Sequence, residues 1–347
     1  MNRKKFTLLS ITIFFIMLFY SINIYTSQNQ YSRTYYYLGT VNEITIFGLG
    51  KHKIEKLLNN CDAILKDIEN KMSDTIPGSD VSKINKNAGS NYVNISDETF
   101  FVIEEAINYS KISDGIFDVT IGPLSDLWGI GTENAKVPSL KEINETLNLI
   151  NYKNIILDKS NNSVKLNKKN MKIDLGAIAK GYAADIIVDF LKDNNIKSAI
   201  INLGGNIYTL GNKNNKDSFT IGIQDPTTSR GNSIGTIDVS DKSIVTSGIY
   251  ERYIEDDGVI YHHILDPYSG YPFDNDISSV TIISDKSIIC DALSTSTFGL
   301  GLSKGLDLIE NIDNADAIFI TKDKEIYLTS NIANNFNLTD KTFKIIK

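Results

Sequence analysis

A mixed α+β fold, with antiparallel and mixed sheets packed against helices, is what the order of patterned segments predicts. Three observations carry it. Apolar residues recur at helical spacing in some segments and form β-branched, partly alternating runs in others, and the two kinds follow one another without regular βα alternation. No internal repeat or low-complexity insert interrupts the chain. No strong linker follows residue 35, so 35–347 reads as one continuous, bilobal catalytic unit. With 347 residues and 41% hydrophobic content the chain can bury one large core or two ordinary ones.

The elements follow in order. Arg3, Lys4 and Lys5 precede an uncharged, mostly apolar run over 6–25, about one bilayer long. Its end, Ile24-Tyr25-Thr26-Ser27, is not a small-x-small cleavage site. Residues 1–27 are therefore expected to form an uncleaved anchor in the cell membrane, with the basic cluster cytoplasmic and the rest extracytoplasmic. Residues 28–34 read as a polar linker, and 35–47 as strand. Over 53–70 the residues Ile54, Leu57, Leu58, Cys61, Ile64, Leu65 and Ile68 form a helical stripe that places Cys61 in the core. A second helix is expected over 99–112, and a third beginning at Ser139, where Glu142 completes a capping box. Residues 155–157 and 164–166 flank a turn-rich segment and read as a hairpin. A helix over 174–194 leads to a strand at 198–202 and the pair Gly204-Gly205. Further strands are expected at 219–224, 235–239, 259–265 and 280–283, with a helix from about Asp291 onward.

Composition narrows the chemistry. With 42 acidic against 35 basic residues the formal charge is −7, which argues against nucleic acid as a partner. Two cysteines and three histidines supply neither a disulfide framework nor a four-ligand zinc site, and leave oxygen ligation of a hard metal open. The chain has no phosphate-binding G-x-x-x-x-G-K-[ST] and no G-x-G-x-x-G opening a helix after a strand. Asp291 and Thr295, four apart, place a carboxylate and a hydroxyl one helical turn apart. Such a pair suits Mg²⁺, or else an acid at a helix start with a threonine in the core. Asp174 and Lys180 bracket a helix start that can face a phosphate, although Lys180 alone also reads as a solvated cation. His263, beside the Asp266-Pro267 turn, is either a general base or a histidine satisfied by a backbone carbonyl.

Five segments, taken in order, are more specific than any of these pairs: 72–85 from Met72-Ser73, 114–124 through Gly115-Ile116-Phe117-Asp118, 174–183 through Ala177-Ile178-Ala179-Lys180-Gly181, 263–270 through His263-Ile264-Leu265-Asp266-Pro267, and 291–295. In this order and over nearly all of 35–340 they resemble the ApbE family of FAD:protein FMN transferases. The resemblance implies an ApbE-like fold and an extracytoplasmic, Mg²⁺-dependent enzyme. Such an enzyme takes FAD as substrate, transfers its FMN half to a Ser or Thr hydroxyl of an acceptor flavoprotein as a phosphodiester, and releases AMP. Carried over residue by residue, Ile116, Phe117 and Asp118 belong to the flavin pocket, Asp174 and Lys180 hold the nucleotide, and Leu265 contacts the flavin nucleotide. The backbone carbonyl of Ala177 joins Asp291 and Thr295 as the metal set. On the chemistry of the step, His263 is the candidate base for the acceptor hydroxyl and Lys180 the further cation. Two positions depart from the family pattern: Leu38 stands where Met is usual, and Thr75 where an aromatic residue is common. Leucine keeps an apolar contact, whereas Thr75 removes a surface on which a ring would stack. Two other readings stay open at this point: an FAD diphosphatase, in which water replaces the acceptor hydroxyl, and a flavin-binding module without catalysis.

Overall fold

The computed structural model describes residues 29–346 apart from 214–216 and 229–230. The anchor expected over 1–27 lies outside the described residues, and among those described no helix is long and apolar enough to cross a membrane. Seventeen strands and eight helices are described.

Nine strands form the principal sheet, in the spatial order β1 (Gln30–Tyr37), β2 (Thr40–Phe47), β6 (Ser198–Leu203), β7 (Asn206–Gly211), β10 (Lys242–Gly248), β13 (Ile277–Ser284), β14 (Ala315–Thr321), β15 (Glu325–Leu328), β17 (Lys344–Ile346). Its pairings are antiparallel except β15 with β17. Successive strand residues point to opposite faces, so neighbours on β13 and β14 enter different cores. Ile282 and Phe319 join the larger cluster, with residues of α1 (Lys51–Met72), α3 (Asp97–Ile112), α6 (Ala179–Asp193) and α7 (Ser287–Leu300). Ile283, Ile318 and Ile320 join a second cluster built on β8 (Phe219–Gln224), β9 (Ser233–Val239) and β16 (Phe336–Leu338), a separate three-stranded sheet. The result is three layers, helices over large sheet over small sheet, and every residue of β13 is buried.

The smaller elements complete the frame: α2 (Asp80–Lys86), α4 (Gly122–Trp128), α5 (Leu140–Leu147) and α8 (Leu302–Glu310), with β3 (Val93–Asn94), β4 (Ile155–Asp158) and β5 (Ser163–Leu166) in a third sheet and β11 (Tyr253–Asp256) and β12 (Val259–His262) as a lone hairpin. The Ser139–Glu142 capping box and the 155–166 hairpin are formed, and Cys61 is fully buried.

Other boundaries differ from expectation. The run read as one strand over 35–47 is two, because Leu38 and Gly39 both take positive φ and close a two-residue hairpin. Its first strand begins at Gln30, inside the stretch read as linker. The helix expected from residue 174 starts at Ala179, since Asp174 Oδ1 accepts the Gly176 N–H and shapes a turn instead. The strand expected over 259–265 stops at His262. Asp291 lies a full turn inside α7, not at its start.

The reason for that last difference is also what positions the site. The N-caps of α6 and α7 are Ile178 and Lys286, and neither carries a capping side chain. The orphan N–H groups at a helix start need acceptors, and here each helix supplies them to the other. Both oxygens of Asp185, on α6, accept from the N–H groups of Ser287 (2.8 Å) and Ile288 (3.0 Å) at the start of α7. Asp291 Oδ2, on α7, accepts from Gly181 N–H (2.9 Å) in the first turn of α6. Gly181 permits the approach: a Cβ there would strike the Ser287 carbonyl and lie 2.6 Å from Ile288 Cα. On the far side Ser287 Oγ donates to Asn206 Oδ1 (2.6 Å), tying α7 to the sheet. Asp185→Ala would strand two buried donors, and we expect a loss of about 2–3 kcal/mol in urea unfolding; unchanged stability would show that α7 is held by other means.

Candidate active site

Eleven of the twelve residues singled out in the sequence line one cleft of about 410 Å³: Leu38, Ile116, Phe117, Asp118, Asp174, Ala177, Lys180, His263, Leu265, Asp291 and Thr295. Thr75 does not. It is exposed, with Oγ1 2.9 Å from Ser73 Oγ. Its neighbour Asp74 is close to the Asp174 turn, where burial and the carboxylates of Asp174 and Asp126 push its carboxyl up.

The oxygen donors sit on α7 and on the turn before α6. Asp291 is 4% exposed, so its charge must be met within the protein. Gly181 N–H occupies Oδ2, while Lys180 Nζ lies 3.3 Å from Oδ1 and 2.6 Å from the Gly176 carbonyl. Thr295 contrasts with its helix neighbours. Ser294, Ser296 and Thr297 donate back to the carbonyls of Asp291, Ala292 and Leu293, but among the described residues the Thr295 hydroxyl has no partner. The Ala177 carbonyl likewise accepts no described hydrogen bond, because the Gly181 N–H that would close a helical turn on it is drawn to Asp291. A carboxylate, a free hydroxyl and a free carbonyl thus line the same cleft. Together they fit a hard divalent cation that retains waters, the habit of Mg²⁺. No three His, Cys, Asp or Glu side chains converge among the described residues.

His263 is open to the cleft, and its backbone N–H and Nδ1 lie 3.0 and 3.1 Å from the Arg252 carbonyl. A carbonyl only accepts, so Nδ1 carries the proton and Nε2 keeps its lone pair. Both alternatives read from the sequence therefore meet in one residue: the ring is satisfied by a backbone carbonyl and still presents a base. Although the ring opens to the cleft, the protein crowded around it strips water from it and, with Arg252, His262 and Lys180 adding their charge, pushes the imidazole down to about 4. His262 is different in kind: its Nε2 faces the Phe273 carbonyl and its Nδ1 accepts from Ile264 N–H, so both nitrogens are used.

Asp118 is also committed internally. Its oxygens accept from Thr120 N–H and Oγ1 and from Tyr152 N–H, holding the loop that presents Ile116 and Phe117, and burial pushes its carboxyl up. Leu265 packs beside Trp128 and Leu124. The cleft also includes residues without a local signal: Thr40, Asn206, Thr246, Ser247, Glu251 and Arg252. Arg252 donates to the Gly39 carbonyl (3.0 Å), 213 residues away in sequence. Gly204-Gly205, marked as turn residues, line the cleft too, as do Val119, Ile121, Gly176 and Ile264 from the marked segments.

Fold and cleft together describe an enzyme-like pocket, and comparison with known proteins gives it a family. Residues 38–319 match the model of the ApbE family. The chain is 40% identical to a Klebsiella pneumoniae protein named FAD:protein FMN transferase, over 84% of this chain and 90% of that one. It is 32% identical to the Treponema pallidum protein of the same name, over 90% and 91%. The crystal structure of the ApbE protein from Thermotoga maritima superposes with a TM-score of 0.80 at 34% identity, covering 88% of this chain and 99% of that one. The flavin transferase ApbE from Vibrio cholerae gives 0.79 at 27% identity, with coverage of 88% and 99%. The chain belongs to the ApbE family.

NMR titration of the histidine rings tests the site's electrostatics. We expect His263 to stay neutral, with the proton on Nδ1, until the pH approaches about 4. A midpoint near the ordinary histidine value of about 6.5 would mean that the cleft walls and the neighbouring cations do not disfavour its charged form.

Proposed function

We propose that this protein is a Mg²⁺-dependent FAD:protein FMN transferase, moving FMN from FAD to a Ser or Thr hydroxyl of an acceptor protein with release of AMP. The observation that carries the reading is the set of oxygen donors left free around Asp291 in the cleft that also presents the bare Nε2 of His263. Kinship with proteins named for this reaction supports it. The same reading takes the chain from Gln30 onward as the catalytic unit and 1–27 as a membrane anchor that leaves it extracytoplasmic.

Opening the FAD diphosphate places charge on the departing AMP phosphate, so the site must supply fixed positive charge and hold the reactants in line. Asp291, Thr295 and the Ala177 carbonyl would hold Mg²⁺, which supplies Lewis-acid neutralisation of the two phosphates. Lys180 contributes a second cation at the same place. Its ammonium is held beside Asp291 by that carboxylate and by the Gly176 carbonyl. His263 takes the proton of the acceptor hydroxyl on Nε2 while the Arg252 carbonyl holds Nδ1–H and fixes the tautomer. A base pushed down to about 4 is weak. The negative phosphates of bound FAD raise it toward the working range, as an opposite charge favours the imidazolium. Ile116, Phe117 and Leu265 offer the apolar surface for the flavin. The acceptor's site, by family resemblance, is a short Asp-x-x-[ST]-Gly-Ala-[ST]-like segment of a redox flavoprotein.

Incubation of the protein with FAD, Mg²⁺ and a carrier protein bearing such a segment should leave flavin fluorescence on the carrier in a denaturing gel. Asp291→Ala should abolish both transfer and its dependence on Mg²⁺. His263→Ala should still bind FAD but transfer about 10²–10⁴ more slowly. Flavin released free with AMP, and never attached, would make the protein a diphosphatase; FAD recovered intact would make it a binding module.

A further inference from the structure

The face of α7 that holds Asp291 and Thr295 continues to a third residue. Gly299 follows at the same four-residue spacing, about 6 Å further along the axis. Thr295 and Gly299 are half-buried, whereas Ser296, Thr297 and Phe298 between them are buried, so this is the side of the helix turned toward the cleft. Two side chains from distant segments rest on Gly299. A Cβ there would lie 2.5 Å from Ile116 Cγ2 and 2.5 Å from Phe273 Cζ, closer than side-chain atoms approach. The backbone of Gly299 is ordinarily helical, so what the glycine supplies is space and not a special φ. Neither neighbour can step aside at little cost. Ile116 is β-branched and stiff at χ1, and its loop is fastened at both ends: Tyr268 Oη donates to the Asp114 carbonyl (2.6 Å), Ser113 Oγ accepts from Phe117 N–H (3.0 Å), and Asp118 accepts from Tyr152 N–H (2.9 Å). Phe273 is held through its main chain, its N–H donating to the Ile264 carbonyl (3.1 Å) and its carbonyl lying 3.0 Å from His262 Nε2. Asn275 Nδ2 donates to the Phe298 carbonyl (2.7 Å), which ties the same segment to α7.

We propose that Gly299 is a positioning residue for the flavin ring: by carrying no side chain it lets Ile116 settle onto α7, and so sets the depth of the apolar wall against which the ring lies. The inference rests on the transferase reading, in which the ring takes the apolar wall and the diphosphate the Asp291 end, and adds the residue that fixes the separation between them. Asp291 and Gly299 stand about 12 Å apart along one helix, so a single rigid element governs both ends of the FMN half. Gly299→Ala would lift Ile116 off the helix and shift the cleft wall that it forms, while Asp291, Thr295 and Lys180 stay in place. A dinucleotide with a bulky apolar ring feels that wall; a nucleotide that ends at the diphosphate does not.

The test uses the full chain with Mg²⁺ and two probes, FAD and ADP, the second carrying adenosine and a diphosphate without the ring. Gly299→Ala should raise the dissociation constant for FAD about tenfold, read by quenching of flavin fluorescence, and leave that for ADP, read by calorimetry, at the wild-type value. In an Ile116→Ala/Phe273→Leu background, which lacks both atoms the new methyl would meet, adding Gly299→Ala should move FAD affinity by less than about twofold. Equal FAD affinity in wild type and Gly299→Ala would overturn the proposal. So would an equal loss of FAD and ADP, or a tenfold loss that persists in the enlarged background. If Gly299→Ala does not fold, Ile116→Ala alone, which empties the seat and leaves α7 intact, should weaken FAD and spare ADP; unchanged FAD affinity there overturns the proposal as well. Every readout is binding, so failure of the transferase reading stays distinguishable: a wild-type chain that binds FAD and labels no carrier ends that reading alone.

Discussion

Two carboxylates exchanged between two helix starts hold the cleft in place. Neither α6 nor α7 carries a local cap, and each is satisfied by an aspartate on the other. Burying a carboxylate is costly unless it is hydrogen-bonded. Backbone N–H groups at a helix start are well suited to the task, being unpaired donors at the positive end of the helix dipole. The exchange gives Asp291 two roles. One oxygen is fixed by Gly181, which orients the side chain, and the other faces Lys180 and the cleft. A residue held in this way can present a lone pair to a cation without first having to be ordered.

The same exchange frees the other donors. Because Gly181 N–H turns to Asp291, the Ala177 carbonyl has no described donor of its own. Along α7 the neighbouring hydroxyls bond back into the helix, a habit of buried Ser and Thr, and Thr295 alone of that run stays unpaired among the described residues. Behind α7 stand β10 and β13, with Ser243 on β10 donating to Ser287 at 2.9 Å. The helix is therefore anchored on the side away from the cleft as well as at its start, and the sheet carries the site as a rigid platform.

How much of this is legible in the chain depends on the distance over which each hydrogen bond reaches. The Ser139–Glu142 box spans three residues and is visible as a motif. The stripe through Cys61 and the 155–166 hairpin are equally local. Asp291 looks like a helix start because aspartate usually caps its own helix; the true start at Ser287 is capped by Asp185, 102 residues upstream. The Leu38–Gly39 turn is hidden because leucine is an uncommon residue at positive φ. Arg252 had no signal at all, since its partners are His263 across a hairpin and Gly39 across the molecule.

By itself the sequence determined the chemical inventory: one carboxylate and one hydroxyl a helical turn apart, a lysine near a helix start, a histidine beside an Asp-Pro turn, and no thiolate or histidine cluster to compete with them. Tertiary structure alone decided which of these atoms are spent inside the protein and which face the cleft. It left Thr295 and the Ala177 carbonyl unpaired, committed Asp118 to its loop, set Thr75 apart, and put the His263 proton on Nδ1. The physical reason is that a donor or acceptor is available only when no neighbour satisfies it, and the neighbours that matter here are brought together from opposite ends of the chain by the packing of α6, α7 and the sheet.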